Sequence, residues 1–254
     1  MNVGVANVYA EPAFHSAVTT QCILGEKVII QNKDGDWLRI TQWDDYSGWI
    51  QEFYLVDYPE DWAPDYSYRA PLGWIFNATS RSAKTLRQIT AGSRLPGVPE
   101  NNGWVQVSLP DGTRGFVPHT DYKWQSNDIR SKILETAERF FGTSYLWGGK
   151  TGFGFDCSGF VQTVFRLNGI NLRRDTWMQM EQGTDLDSRE DLRPGDLVFF
   201  AEKEKVSHVG IAYNESEFIH CSGYVRRNSF EKEASDYSAR LDAMFIGAQR
   251  IIQE

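Results

Sequence analysis

The chain has 254 residues, 41% hydrophobic and 24% charged, enough for two or three small domains with cores of their own. A net charge of −8, from 26 basic and 34 acidic residues without a Lys/Arg block, excludes nucleic acid as a partner class, since phosphate neutralisation needs a basic footprint. No run approaches the roughly 20 apolar residues that span a bilayer, and the first thirty residues lack the basic and then apolar leader of an exported chain, so no membrane association is expected. Cys22, Cys157 and Cys221 form neither a CxxC pair nor an even framework. Thiols of that kind suit a reducing compartment, and the reading is cytoplasmic unless a leader was trimmed. Aromatic residues make up 14%, with nine Trp and eleven Tyr. Core and sheet packing accounts for such content, with carbohydrate or peptide surfaces as the sharper alternative.

The first half contains a repeat. An offset of 67 residues places Gly25, Trp37 and Gly48 on Gly92, Trp104 and Gly115, and Gln21 on Gln88. Apolar positions agree as well: Val8 with Ile75, Leu38 with Val105, Ile40 with Val107, Trp49 with Phe116 and Ile50 with Val117. Each copy has short period-2 runs broken by turn signals such as Asn32-Lys33-Asp34-Gly35-Asp36 and Pro99-Glu100-Asn101-Asn102-Gly103. Two small β-barrels are expected, over residues 1–60 and 66–126, joined by a Pro-, Asp- and Tyr-rich linker within 57–68. The pattern Gly-x-x-Val/Ile, then Gly-Trp or Gly-x-Trp, then Gly-Trp/Phe-Ile/Val resembles bacterial SH3 (SH3b) domains.

Near Asn127 the periodicity changes. Ile129, Ile133, Leu134, Ala137, Phe140 and Phe141 mark a helix opened by Asn127 or Asp128 and stopped at Gly142. A third domain is placed at 127–254. Its most informative stretch is Tyr145-Leu146-Trp147-Gly148-Gly149, a glycine-rich loop, and Phe155-Asp156-Cys157-Ser158-Gly159-Phe160-Val161. Helical spacing of Phe160, Val161, Val164, Phe165 and Leu167 sets Cys157 at a helix N-terminus, where orphan N–H groups and the dipole favour a thiolate. A random cysteine is more often a buried structural one, but this placement reverses those odds.

A thiolate needs a base, and the chain has four histidines. His15 and His119 lie in turn-like surroundings and read as surface residues. His208 lies on a strand, Val206 to Ala212, that follows the turn Arg193-Pro194-Gly195-Asp196 and the strand Leu197 to Phe200. Alternation puts it on one face with Val206, Gly210 and Ala212, small side chains that leave room for a helix N-terminus to pack there. A hairpin at Asn214-Glu215-Ser216 brings His220 nearly opposite, giving a nucleophile, a base and a group that orients the base. A metal site of Cys157, His208, His220 and Cys221 is disfavoured, because His220 and Cys221 are strand neighbours on opposite faces and close-spaced ligand pairs are lacking. Cys22 and Cys221 read as small buried hydrophobes. No cofactor and no metal are expected.

The strings Tyr-x-Trp-Gly-Gly, Phe-Asp-Cys-Ser-Gly-Phe-Val, Arg-Pro-Gly-Asp-Leu-Val-Phe-Phe and Ser-His-Val-Gly-Ile, with a second His twelve residues on, resemble an NlpC/P60 domain. With two SH3b-like repeats ahead of it, the chain resembles the γ-D-glutamyl-L-diamino acid endopeptidases of that family, the dipeptidyl-peptidase VI-like enzymes. The resemblance implies an α+β architecture: a papain-like catalytic domain with a helix on an antiparallel sheet, preceded by the two barrels. The sheet is expected from strands near 197–200, 206–213, 217–221 and 245–251. It implies Cys157 as nucleophile, His208 as base and His220 as orienting residue. The Cys157 N–H, with Tyr145, would stabilise the oxyanion. The substrate would be a free wall-derived peptide beginning L-Ala-γ-D-Glu, cut after the D-Glu by a monomeric enzyme of peptide recycling.

By the same resemblance Asp175, in Arg174-Asp175-Thr176, would hold the free L-Ala ammonium, with Tyr46 from Tyr46-Ser47-Gly48-Trp49 touching the same end of the peptide. Ser158 and Thr176 would contact the D-Glu carboxylate, with Asp156 a further substrate neighbour. Thr19-Thr20-Gln21 departs from relatives that carry an acid there, which weakens any second carboxylate at the amine site. Competing readings are a wall-peptide binding module with a vestigial cysteine, a hydrolase of intact peptidoglycan, and an acyltransferase on the same fold.

Overall fold

A computed structural model of the chain describes residues 1–57, 59–119 and 125–253. Tyr58 of the expected linker and residues 120–124 of the expected second barrel lie outside them. The chain forms two compact units, Met1–Lys123 and Trp124–Glu254.

The first unit contains two five-stranded antiparallel sheets. Strands β1 (Val5–Tyr9), β2 (Val18–Ile23), β3 (Ile29–Asp34), β4 (Trp37–Thr41) and β5 (Ser47–Gln51) stand in the order β2-β1-β5-β4-β3. A short strand β6 (Tyr66–Ser67) follows, then β7 (Leu72–Phe76), β8 (Thr85–Thr90), β9 (Arg94–Leu95), β10 (Gly97–Pro99), β11 (Trp104–Ser108) and β12 (Arg114–Pro118). The second sheet has the order β10-β11-β12-β7-β8, and β6 pairs with β9. Adding 67 to the bounds of β1, β2, β4 and β5 gives the bounds of β7, β8, β11 and β12.

The repeated residues occupy equivalent places. Tyr9 meets Trp37 edge to face at 5.4 Å, and Phe76 meets Trp104 in the same way at 5.8 Å. Gly48 lies so close to Val8 that a Cβ would sit 2.5 Å from its Cγ1, and a Cβ on Gly115 would sit 2.4 Å from Ile75 Cγ2. Gly25 and Gly92 both turn the chain at positive φ, 81° and 90°. The two sheets share one compact unit because they are tied together: Arg87 donates to the Asn2 carbonyl at 3.1 Å and pairs with Asp111 at 2.8 Å, and Leu24 is buried in the core of the second sheet.

The second unit starts with helix α1 (Ile129–Glu138), capped by Asp128, whose carboxylate accepts from Ser131 N–H at 2.8 Å. The hairpin of β13 (Lys150–Thr151) and β14 (Gly154–Phe155) leads directly into α2 (Cys157–Leu167), followed by the short α3 (Thr176–Met180). Strands β15 (Thr184–Asp185), β16 (Leu197–Glu202), β17 (Lys205–Ala212), β18 (Glu217–Ser222), β19 (Tyr224–Ser229) and β20 (Phe245–Arg250), with α4 (Ala239–Met244) before β20, complete it. Their order is β15-β20-β16-β17-β18-β19, antiparallel throughout. The sequence reading lacked the edge strand β19.

The buried carboxylate of Asp196 anchors the turn before β16. It accepts from Arg193 N–H at 2.9 Å, from Arg130 of α1 at 3.0 Å and from Arg250 of β20 at 2.8 Å. A fully buried charge needs such pairing, and here it joins three elements around the start of β16.

Candidate active site

Helix α2 presents Cys157 in its first turn. Its N-cap is Asp156, which accepts from Gly159 N–H at 2.6 Å, and the N–H of Cys157 has no intrahelical acceptor. The sulfur lies 3.8 Å from Thr176 Oγ1, in the first turn of α3, and 4.0 Å from the Ser207 carbonyl of β17. The Val209 N–H also bonds toward it. The nucleophile thus meets the backbone on either side of His208. That stretch of β17 is open because pairing with β18 covers Gly210, Ile211 and Ala212.

This differs in one respect from the sequence reading, which packed the helix N-terminus on the small side chains sharing the His208 face. Those positions are filled from elsewhere. Gly210 lies opposite His220, where a Cβ would stand 3.2 Å from the His220 Cβ, and Ala212 packs with Phe200, Phe218, Phe230 and Leu241. The helix end meets the strand's backbone instead.

The two histidine rings meet diagonally, His208 Nε2 lying 2.7 Å from His220 Nδ1. His220 is wholly buried, and its Nε2 lies 2.8 Å from Asn228 Oδ1 on β19. Asn228 Nδ2 in turn donates to the Asp236 carbonyl. Burial is the main cause that lowers both rings, His208 to about 3 with His220, Arg240 and Arg226 assisting, and His220 to about 4. Burial also pushes the Cys157 thiol up, with the Asp156 charge adding, against lowering contacts from Thr176 and the Val209 and Ser158 N–H groups. The thiolate expected from helix position alone is therefore outweighed: at neutral pH the resting pair is a thiol and a neutral imidazole. Such a pair can attack a carbonyl with His208 taking the proton as the C–S bond forms.

The remaining expected residues are placed as follows. Asp156 is engaged on all sides: Arg174 pairs both its oxygens, Gly148 N–H donates to Oδ2 at 3.0 Å, and Ser158 Oγ donates to Oδ1 at 3.3 Å. Ser158 Oγ also accepts from Arg174 at 2.9 Å. Both side chains, expected to neighbour substrate, hold the buried Arg174 and the start of α2. Thr176 touches the sulfur itself. Asp175 is half-buried at the N-cap position of α3 and makes no capping bond there. Tyr145 has a phenol pushed up by burial and by the nearby Cys157 and Asp156 charges, so it stays a neutral donor. Tyr46 is half-buried in the β4–β5 turn of the first unit. His15 and His119 are exposed, and Cys221 is buried with its thiol against the Phe155 carbonyl at 3.2 Å, pushed up to about 12 by burial. Sequence reasoning missed Arg174 and Asn228, and the exposed aromatics Trp147, Trp177 and Tyr224 on segments next to site residues.

Residues 142–241 match the NlpC/P60 family and residues 4–56 the bacterial SH3 domain. The chain is 32% identical over 224 residues to a gamma-D-glutamyl-L-lysine dipeptidyl-peptidase of Bacillus cereus, covering 79% of this chain and 66% of that protein. It is 31% identical over 219 residues to the protein of that name in Bacillus subtilis, covering 81% and 72%. The crystal structure of an NlpC/P60 family protein from Bacillus cereus superimposes with a TM-score of 0.86 at 26% identity, over 100% of this chain and 99% of that one. The chain belongs to the NlpC/P60 family of cysteine peptidases. Its N-terminal SH3b-like β region and its α+β unit with a helix on an antiparallel sheet are the architecture expected from the sequence.

Proposed function

We propose that this chain hydrolyses the γ-D-glutamyl-L-diamino acid bond of free peptidoglycan peptides that begin with L-Ala. The reading rests on one observation above all, the convergence of Cys157, His208 and His220 at the end of α2 and on β17 and β18, in a chain similar to two gamma-D-glutamyl-L-lysine dipeptidyl-peptidases. In this mechanism His208 takes the thiol proton as the sulfur attacks the γ-carbonyl of D-Glu. The oxyanion forms at the N-terminus of α2, where the Cys157 N–H and the Tyr145 hydroxyl donate to it. Collapse expels the amine of the diamino acid, which takes its proton from His208, and water then hydrolyses the thioester with His208 as base. Asp175 receives the L-Ala ammonium, and Thr176 contacts the D-Glu carboxylate. A monomeric enzyme of cytoplasmic wall-peptide recycling, built as barrels 1–60 and 66–126 before a catalytic domain 127–254, completes the proposal. Among the described residues no helix is long and apolar enough to cross a membrane.

Incubation with L-Ala-γ-D-Glu-L-Lys should release L-Ala-γ-D-Glu and free lysine. An intact tripeptide, alongside soluble fragments released from whole sacculi, would assign the chain to hydrolases of intact wall.

A further inference from the structure

The hydrogen-bond chain that ends at His208 begins well away from it, at a main-chain carbonyl. An asparagine side chain has two distinguishable ends, and its NH₂ can only donate. With Asn228 Nδ2 donating to the Asp236 carbonyl, Oδ1 is the end that faces His220. That oxygen can only accept, so His220 must carry its proton on Nε2. A neutral imidazole with a proton on Nε2 has a bare Nδ1, which must then accept. The partner at 2.7 Å is His208 Nε2, which therefore carries the proton there. The lone pair of His208 is left on Nδ1, the nitrogen that can take a proton from a thiol. Each step follows from donor and acceptor counting, and the direction is set at Asn228, which is 8% exposed.

We propose that Asn228 is a positioning residue: through His220 it fixes which nitrogen of His208 accepts the proton of Cys157. Without its carbonyl oxygen, His220 can move its proton to Nδ1 and donate to His208 Nε2. His208 then carries its proton on Nδ1 and is no base toward sulfur. The charges facing the two rings are Arg226, which pairs with His220 across β18 and β19, and Arg240 of α4, whose guanidinium lies 3.7 Å from Glu202. Asn228 itself adds no charge, so it sets direction without favouring an imidazolium.

The role rests on the Cys157–His208 reading of the site, and the deciding measurement does not need the substrate to be right. Chains labelled with ¹⁵N-histidine carry four imidazoles, of which His15 and His119 are exposed. Long-range ¹H–¹⁵N spectra of wild type should show Nε2–H for both buried rings. In Asn228→Ala the buried rings should show mixed tautomers, and kcat on L-Ala-γ-D-Glu-L-Lys should fall by at least about tenfold with KM changed by less than about twofold, as expected for an orienting group. Asn228→Asp gives up the donor to the Asp236 carbonyl but keeps the shape and the acceptor toward His220, so both rings should stay Nε2–H. Its carboxylate should favour the imidazolium and move the acidic limb of the rate profile to higher pH. Unchanged tautomers and unchanged kcat in Asn228→Ala overturn the role. Should that variant not fold, an unmoved acidic limb or altered tautomers in Asn228→Asp overturn it. A wild-type chain that leaves the tripeptide intact defeats the substrate assignment, while the spectra still decide the tautomers.

Discussion

At the scale of single residues, the thiol of Cys157 feels opposed influences. Burial and the Asp156 carboxylate oppose the thiolate and prevail over Thr176 and the Val209 and Ser158 N–H groups, which favour it. The pair works as thiol and neutral base, so removing the sulfur removes the covalent route. Cys157→Ala should lose at least about a thousandfold in kcat on L-Ala-γ-D-Glu-L-Lys, measured by lysine release, with a folded circular dichroism spectrum retained. The histidines give a second prediction, about stability. Both rings titrate lower in the folded chain, about 3 and about 4, than in the unfolded chain, near 6.5. Between those values the unfolded state binds more protons. Their contribution is whole above pH 6.5 and is lost as pH falls toward 4 and then 3, by up to about 1.4 kcal/mol per pH unit for each ring. Denaturant titrations from pH 7 to pH 4.5 should show that decline, and His220→Gln should roughly halve its slope. An equal slope in the variant would mean that carboxylates, not these rings, carry the acid sensitivity.

Among elements, the repeat of the first unit shows what sequence spacing can carry. The 67-residue offset was legible because each matched residue does a local job: Trp37 and Trp104 meet an aromatic residue on the neighbouring part of the sheet, and Gly48 and Gly115 let a strand approach Val8 or Ile75. Gly48→Ala places a Cβ 2.5 Å from Val8 Cγ1 and 2.9 Å from the Tyr9 carbonyl, so β1 and β5 must part. A loss of about 1–3 kcal/mol in unfolding free energy is expected for it, and likewise for Gly115→Ala against Ile75. Ser47→Ala, one position before Gly48, loses a partner hydroxyl for Thr41 and should cost less than about 1 kcal/mol. In the second unit, Cys157 and His208 were legible because the strings around them specify a helix start and a strand. β19 was not, because Tyr-Val-Arg-Arg-Asn-Ser has no clean apolar alternation, and Asn228 was lost with it. The engagement of Asp156 could not be read either, since it depends on Arg174 folding back across 18 residues to a site that forms only in three dimensions. Local pattern reports an element and what it presents, and long-range pairing decides which polar groups remain for a ligand.

For the whole molecule, the question is which form of the wall peptide it accepts. A dipeptidyl-peptidase measures two residues from an amino terminus, so that terminus has to be read as a charge. Asp175 immediately precedes Thr176, whose hydroxyl lies 3.8 Å from the sulfur, and it takes the N-cap position of α3. In the proposed complex the ammonium of L-Ala meets that carboxylate. An N-acetyl group removes the positive charge and leaves Asp175 desolvated beneath a neutral amide, the situation in which a polar site rejects an analogue most strongly. N-acetyl-L-Ala-γ-D-Glu-L-Lys should therefore show kcat/KM lower by at least about a hundredfold than the free tripeptide. Peptides still joined to muramic acid carry the same amide, so intact sacculi should release little. Asp175→Asn should lower kcat/KM for the free tripeptide while changing the acetylated one far less, closing the gap from one side. Equal rates on the free and acetylated tripeptides would show that the amine is not read, and a wild-type ratio in Asp175→Asn would move its recognition to another residue.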